Sequence, residues 1–198
     1  MPEVPGGAET LAEAAAAARA CTRCNDLPLG PRPVIRVSST ARLLIIGQAP
    51  GTKVHNTGIP WNDASGIRLR EWLQMEPAVF YDEALVAVVP QGLCYPGRLP
   101  KGGDAPPKRA CAPLWHKRLL SLMPDVRLTL LVGGYAQAAA LGRGAMTARV
   151  QDHAAHAPRY FPLPHPSWRT TGWERRNPWF AAEVLPALRA AVATAIRP

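Results

Sequence analysis

The sequence contains no apolar run approaching membrane-spanning length, although hydrophobic residues make up 47% of its 198 positions. A soluble protein with no membrane partner is expected. Its first residues, MPEVPGGAE, lack the basic and apolar regions of a signal peptide, so a cytoplasmic location is the default expectation. Acidic residues are few, 14 against 23 Lys and Arg. The resulting net charge of +9 and pI near 10.0 put nucleic acid first among candidate partners, with a solvated basic surface as the plain alternative. Cysteine is sparse as well. Cys21, Cys24, Cys94 and Cys111 fall as C-x2-C, a gap of 69 residues, then C-x16-C. Disulfides are disfavoured in a cytoplasmic chain, whereas a close pair joined by two distant thiols can supply the four thiolates of an iron–sulfur cluster or a structural zinc. The competing reading is buried free cysteines with a chance CxxC.

The length fits one domain with a full core, expected over residues 9–198 behind a disordered N-terminal tail at 1–8. An alanine-rich helix starting at Glu9 or Thr10 carries Cys21 toward the CxxC, and a Pro-rich connector follows. Leu43–Ile46 reads as a short buried strand. It runs into a loop of about twenty residues punctuated by Gly47, Pro50, Gly51, Gly58 and Pro60, and long loops of this kind are usually functional or disordered. The segment GIRLREWLQM then places Ile67, Leu69, Trp72 and Leu73 on one helical face with Arg68, Arg70 and Glu71 outward.

Further buried strands are expected at Ala84–Val89, Leu128–Val132 and Arg159–Leu163. Helices are expected over Pro113–Met123, through YAQAAALG, and from about Asn177 to Ile196; residues 142–158 show too little periodicity to assign. Apolar strands alternating with helices predict an α/β fold, a three-layer α/β/α sandwich around a central four-stranded parallel sheet. Ligands of such sheets bind beyond the carboxyl ends of the strands, which should bring Asp63, Gln91 and His165 toward one cleft.

The motif GQAPG after the first strand and HPS after the last, together with the four cysteines, resembles the uracil-DNA glycosylase superfamily over about residues 21–190. The cysteine pattern looks like the iron–sulfur-containing branch. The resemblance implies a monofunctional DNA repair enzyme, expected to be a monomer. It would flip uracil out of DNA and hydrolyse its N-glycosidic bond, leaving an abasic site. A non-catalytic or slow-turnover binder of abasic or damaged DNA is the alternative, because two expected residues are missing. Cluster-free members carry an acid directly after the motif Gln, where this chain has Ala49, and many members use an Asn near the second strand to read uracil, but none lies between Val86 and Gly103.

Cleavage builds positive charge on the sugar and negative charge on the departing base, so a site needs an anion near one and donors near the other. Asp63, the only carboxylate of the opening loop, sits in an Asp-x-Ser-Gly turn and is expected to stabilise the sugar cation, with helix capping as its competing role. His165 is the expected donor to the base oxygen. Trp61 matches the aromatic that stacks on the flipped base, the alternative being a core Trp. Backbone N–H groups of Gln48 and Ala49 would cradle the base, and Gln91 is the nearest amide to the missing Asn. Lys53, Ser65, Ser167, Trp168 and Arg169 are the expected DNA contacts, Trp168 as a possible wedge. His55, near Lys53, is expected to contact a phosphate or the abasic site, or else to lie at the surface. Cys21, Cys24, Cys94 and Cys111 match the ligands of a 4Fe-4S cluster, with structural zinc as the alternative.

Overall fold

The computed structural model describes residues 8–197; residues 1–7, nearly all of the tail expected to be disordered, and Pro198 lie outside the described residues. Helix α1 (Leu11–Arg19) opens with a capping box in which Thr10 and Glu13 satisfy each other's backbone N–H groups. It ends before Cys21, so the CxxC lies in the turns beyond the helix rather than on it. Strand β1 (Leu43–Ile46) has its expected bounds, but the loop after it is not structureless. It folds into α2 (Thr52–Thr57), closed by left-handed Gly58, before α3 (Ala64–Leu73) begins. A single turn α4 (Pro77–Phe80), strand β2 (Val86–Val88), helix α5 (Cys111–Leu120), strand β3 (Leu128–Val132) and helix α6 (Gly134–Leu141) follow. The unassigned stretch holds α7 (Met146–Gln151) and a 3-10 turn at His153–His156. Strand β4 (Tyr160–Leu163), helix α8 (Thr170–Arg176), a π-helical turn at Phe180–Val184 and helix α9 (Leu185–Ile196) complete the chain.

The four strands are parallel in the order β2-β1-β3-β4, with Leu43 opposite both Val86 and Leu128, and Thr129 opposite Tyr160. Successive side chains of a strand point to opposite faces. Leu43 and Ile45 join Leu69, Trp72, Phe180 and Leu188 in one apolar layer, and Leu44 and Ile46 join Ala14, Ala18, Trp115 and Leu119 in the other. This is the three-layer α/β/α sandwich, and burial on both faces is why the strands read as unbroken apolar runs. No single described helix is long and apolar enough to cross a membrane.

Helix α3 departs from its expected face. Ile67 is 54% exposed, while Arg68 and Arg70, expected to point outward, are partly buried and engaged. Arg68 donates to the Ser167 carbonyl at 2.9 Å and to Glu174 at 2.6 Å, and Arg70 donates to the Trp61 carbonyl at 3.2 Å and the Tyr81 hydroxyl at 3.1 Å. Charge and hydrogen bonding to neighbouring loops override amphipathic order here.

The chain bends most tightly between Trp61 and α3. Trp61 sits at φ 55°, a left-handed conformation that costs a non-glycine residue on the order of 1–3 kcal/mol. Gly66 packs against its carbonyl so closely that a Cβ there would be driven into the Trp61 backbone. Gly66→Ala should therefore lower stability by about 1–3 kcal/mol, read as a shift of the urea midpoint; an unchanged midpoint would show that this contact carries no stability.

Candidate active-site cleft

β1 lies between β2 and β3, so the chain leaves it in opposite directions, and a crevice opens at the carboxyl edge where that reversal occurs. The cleft at that point is lined by Gly47 through Gly51, by Trp61, Asp63 and Ser65, by Val88 at the end of β2 and Pro90 beyond it, by Asp104, and by His165 after β4.

Trp61 lies across the cleft floor. A Cβ on Gly47 would come within 2.9 Å of its ring, and the ring centroid is 5.8 Å from that of His165 at a tilt of 35°. Glycine at 47 is what lets the indole lie against the backbone. The Trp61 carbonyl is held by Arg70 and by the Tyr81 hydroxyl, the latter at 3.2 Å. Trp61 thus belongs to the site and also touches the core beneath it.

Asp63 takes the capping role weighed for it and also lines the cleft. It is the N-cap of α3, with Oδ1 accepting from the Gly66 N–H at 2.8 Å. Its other oxygen, Oδ2, remains on the cleft side, 3.7 Å from the position a Cβ would take on Gly51. The cap fixes the rotamer that presents Oδ2.

His165 is set by its backbone. Ser167 N–H donates to the His165 carbonyl at 2.8 Å, and the Thr170 hydroxyl donates to the same oxygen. Gly133, at φ 88°, lets the turn after β3 pass His165, with a Cβ there 3.4 Å from that of the histidine. The fully buried Gln137 donates from Nε2 to the Leu163 carbonyl at 2.9 Å and braces the end of β4. Gln137 was not singled out from sequence; one polar side chain within the apolar stretch YAQAAAL was the available signal.

The remaining expected residues divide. The N–H groups of Gln48 and Ala49 donate to no protein acceptor among the described residues, and the Gln48 amide donates to the Ala105 carbonyl at 2.9 Å. Ser65 lines the cleft from the first turn of α3. Gln91 does not. Only its N–H reaches the site loop, donating to the Gly47 carbonyl at 2.9 Å. Its side chain lines a separate cavity with His116, Thr129 and Tyr160. The expectation put its amide in the cleft; beyond the end of β2 the chain instead sets residue 91 against the separate cavity, outside the cleft lining. Lys53 is exposed on α2, outside the cleft lining. His55 is not at the surface: it is buried, with its ring centroid 6.0 Å from that of Tyr95.

Trp168 is 78% exposed. Arg169 sits 5.3 Å from the Trp168 ring and lies over Gly102 and Gly103, where a Cβ would approach its guanidinium to 3.2 and 2.5 Å. Ser167 is partly buried and accepts from Arg68. Asp104 was missed from sequence. Burial raises its carboxyl above the ordinary Asp value; Arg98 opposes the rise, Asp63 adds to it, and Arg169 opposes it.

All four cysteines line one cavity with Leu27, Leu93, Lys108 and Trp115. Cys111 is the first residue of α5 and its sulfur accepts from the Leu93 N–H at 3.3 Å. Burial pushes the Cys94 thiol up to about 11, with the other three cysteines adding to the rise, and burial raises the Cys111 thiol too. Among the described residues no group of three or more His, Cys, Asp and Glu is gathered as around a single metal ion.

Desolvation lowers the His165 imidazole below the usual His value, and Asp63 works against that lowering. An NMR titration should return a His165 pKa below the ordinary value of about 6.5. Asp63→Asn, which keeps a capping oxygen, should move it lower still because it removes the charge that favours imidazolium. A higher pKa in the variant would break the electrostatic link between the two residues.

The site is thus an aromatic floor, a carboxylate, a desolvated imidazole and free backbone donors at the switch point of a parallel sheet. The family model described as the uracil DNA glycosylase superfamily matches residues 35–189, the span that holds every one of these groups. The match covers most of the chain, DNA is the substrate it implies, and the protein belongs to the uracil DNA glycosylase superfamily.

Proposed function

We propose that this glycosylase removes uracil from DNA by hydrolysing the N-glycosidic bond of a flipped nucleotide. The observation that carries the reading is the juxtaposition of Trp61, Asp63 and His165 in one cleft, with Asp63 and His165 electrostatically linked. The Trp61 face stacks the base, and the unengaged N–H groups of Gln48 and Ala49 donate to its edge. As the bond breaks, its electron pair leaves with the base. His165, neutral at pH 7 because its ring is desolvated, donates its N–H to the base oxygen that gains charge. Asp63 Oδ2 faces the sugar cation. Ala49 carries no acid or base function, so the GQAPG turn serves as a backbone cradle. With Gln91 turned away, that cradle also reads the base.

Supporting a structural cluster, four cysteines share one cavity and the Cys111 sulfur accepts the Leu93 N–H. Cys21, Cys24, Cys94 and Cys111 would hold a 4Fe-4S cluster, and four thiolates also suit a structural zinc, the alternative. When bound it supplies a structural staple between the N-terminal turns and the loop that ends at α5. The buried thiols would release their protons on binding it.

The test is release of free uracil from a labelled oligonucleotide. His165→Ala should lower the single-turnover rate by about 10²–10³-fold while DNA affinity stays nearly intact, because the donor acts mainly once charge develops. Absence of uracil release by the wild type would overturn the reading. For the cluster, anaerobically purified protein should contain iron and absorb in the visible range, and Cys94→Ser should lose both. A colourless wild type with one zinc would refute it.

A further inference from the structure

The superfamily reading leaves a second carboxylate of the cleft without a role. We propose that Asp104 is a second catalytic carboxylate, which shares with Asp63 the water that attacks the sugar. The proposal rests on the glycosylase reading of the cleft and adds to it a residue that neither motif contains.

The geometry centres on Gly51. The position its absent Cβ would occupy lies 3.7 Å from Oδ2 of Asp63 and 3.7 Å from Oδ2 of Asp104. Both carboxylates line the same cleft. Both acceptors thus flank Gly51, which puts no side chain between them, and a water in the cleft that reaches both donates one O–H to each carboxylate. With both protons committed, its lone pairs point away from the carboxylates.

Asp104 is not a loosely hung side chain. Leu99 N–H donates to the Gly103 carbonyl at 2.8 Å and Ala105 N–H to the Gly97 carbonyl at 2.8 Å, closing the loop on either side of it. The Gln48 amide ties Ala105 to the GQAPG turn, and Arg169 covers Gly102 and Gly103. The chain thus fastens residue 104 to both motif loops of the cleft.

Chemistry divides the two acids. The groups acting on Asp104 are Asp63, Arg98 and Arg169, with His165 across the cleft. Burial raises its pKa above the ordinary Asp value, so its ionised form accepts a proton more readily than an ordinary Asp carboxylate. The C1′–N bond breaks and its electron pair departs with the base, hydrogen-bonded to His165. The water oxygen then forms the new C1′–O bond and passes one proton to the Asp104 carboxylate, which later returns it to solvent. Asp63, held by its cap, remains the anion facing the sugar. The base anion takes its proton from solvent, and the sum is hydrolysis.

The test compares wild type, Asp63→Asn, Asp104→Asn, the double variant and Gly51→Ala in single-turnover cleavage of a uracil oligonucleotide, with affinity for an abasic oligonucleotide measured alongside. Asp104→Asn should slow cleavage by about 10²-fold with affinity within about threefold of wild type. The double variant should be little slower than the slower single one, because both carboxylates serve one water. Gly51→Ala removes no charge, and φ −81° suits alanine. Its methyl would stand 3.7 Å from each Oδ2 and crowd the water they share, so it too should slow cleavage, by about tenfold or more. Wild-type rates in Asp104→Asn, multiplying losses in the double variant, or an unaffected Gly51→Ala would each overturn the shared water and leave the glycosylase reading standing. A wild type that releases no uracil would overturn the glycosylase reading and this proposal with it.

Discussion

The cleft depends on one backbone contact, the carbonyl of Trp61 wedged against Gly66 at the start of α3. A tryptophan at φ 55° is strained, and the strain persists only because the surroundings over-determine it. Arg70 and Tyr81 hold the carbonyl from one side, and α3 closes on it from the other. From that fixed point the indole is laid across Gly47, and Asp63, two residues on, is delivered to the N-cap. Capping consumes one oxygen of Asp63 and aims the other. A single bend therefore sets two groups of the site, and neither can be moved without the other.

Electrostatics in the molecule works at two ranges. The net charge of +9 attracts a polyanion from a distance, yet the cleft itself holds two carboxylates and an imidazole whose charged form is disfavoured. Long-range attraction requires only the sum of surface charges. Cleavage requires local negative charge at the sugar and a neutral donor at the base. Arg169, which acts on Asp104, and the exposed Lys53 lie outside the cleft lining, and the acids stand within it.

The sheet was largely legible because β1 and β3 are buried on both faces and appear as continuous apolar runs with abrupt ends. β2 and β4 were read slightly long: Leu85, Val89 and Arg159 still hydrogen-bond to neighbouring strands just outside the strand ends. Helix α7 was illegible: of its six residues only Val150 is buried, so no period exists to detect. In the cleft, Trp61, Asp63 and His165 could be named because each sits in a compact motif. Gln91 was misplaced because its direction depends on the exact register at which β2 ends, and Asp104 was missed because its place is made by Gln48 and Arg169, both far away in sequence.

The loop from Cys94 to Cys111 shows how such remote determination can still be reliable. A segment rich in Gly and Pro would ordinarily wander, and ordering each residue costs roughly 1–2 kcal/mol. Here the chain is constrained at its ends, where both cysteines line one cavity with Cys21 and Cys24, and in its middle, where Gln48 and Arg169 engage it. Fixing the ends shortens the free span and lowers the closure entropy that the middle contacts must overcome. Lys108 adds an ion pair to Asp26 beside the cysteine cavity. The cysteine site and the cleft are consequently two ends of one mechanical element: any group that clamps the four thiols also narrows the positions open to Asp104. On this argument the cysteines act on the chemistry through where the loop can go, with no electron needing to pass between the two sites.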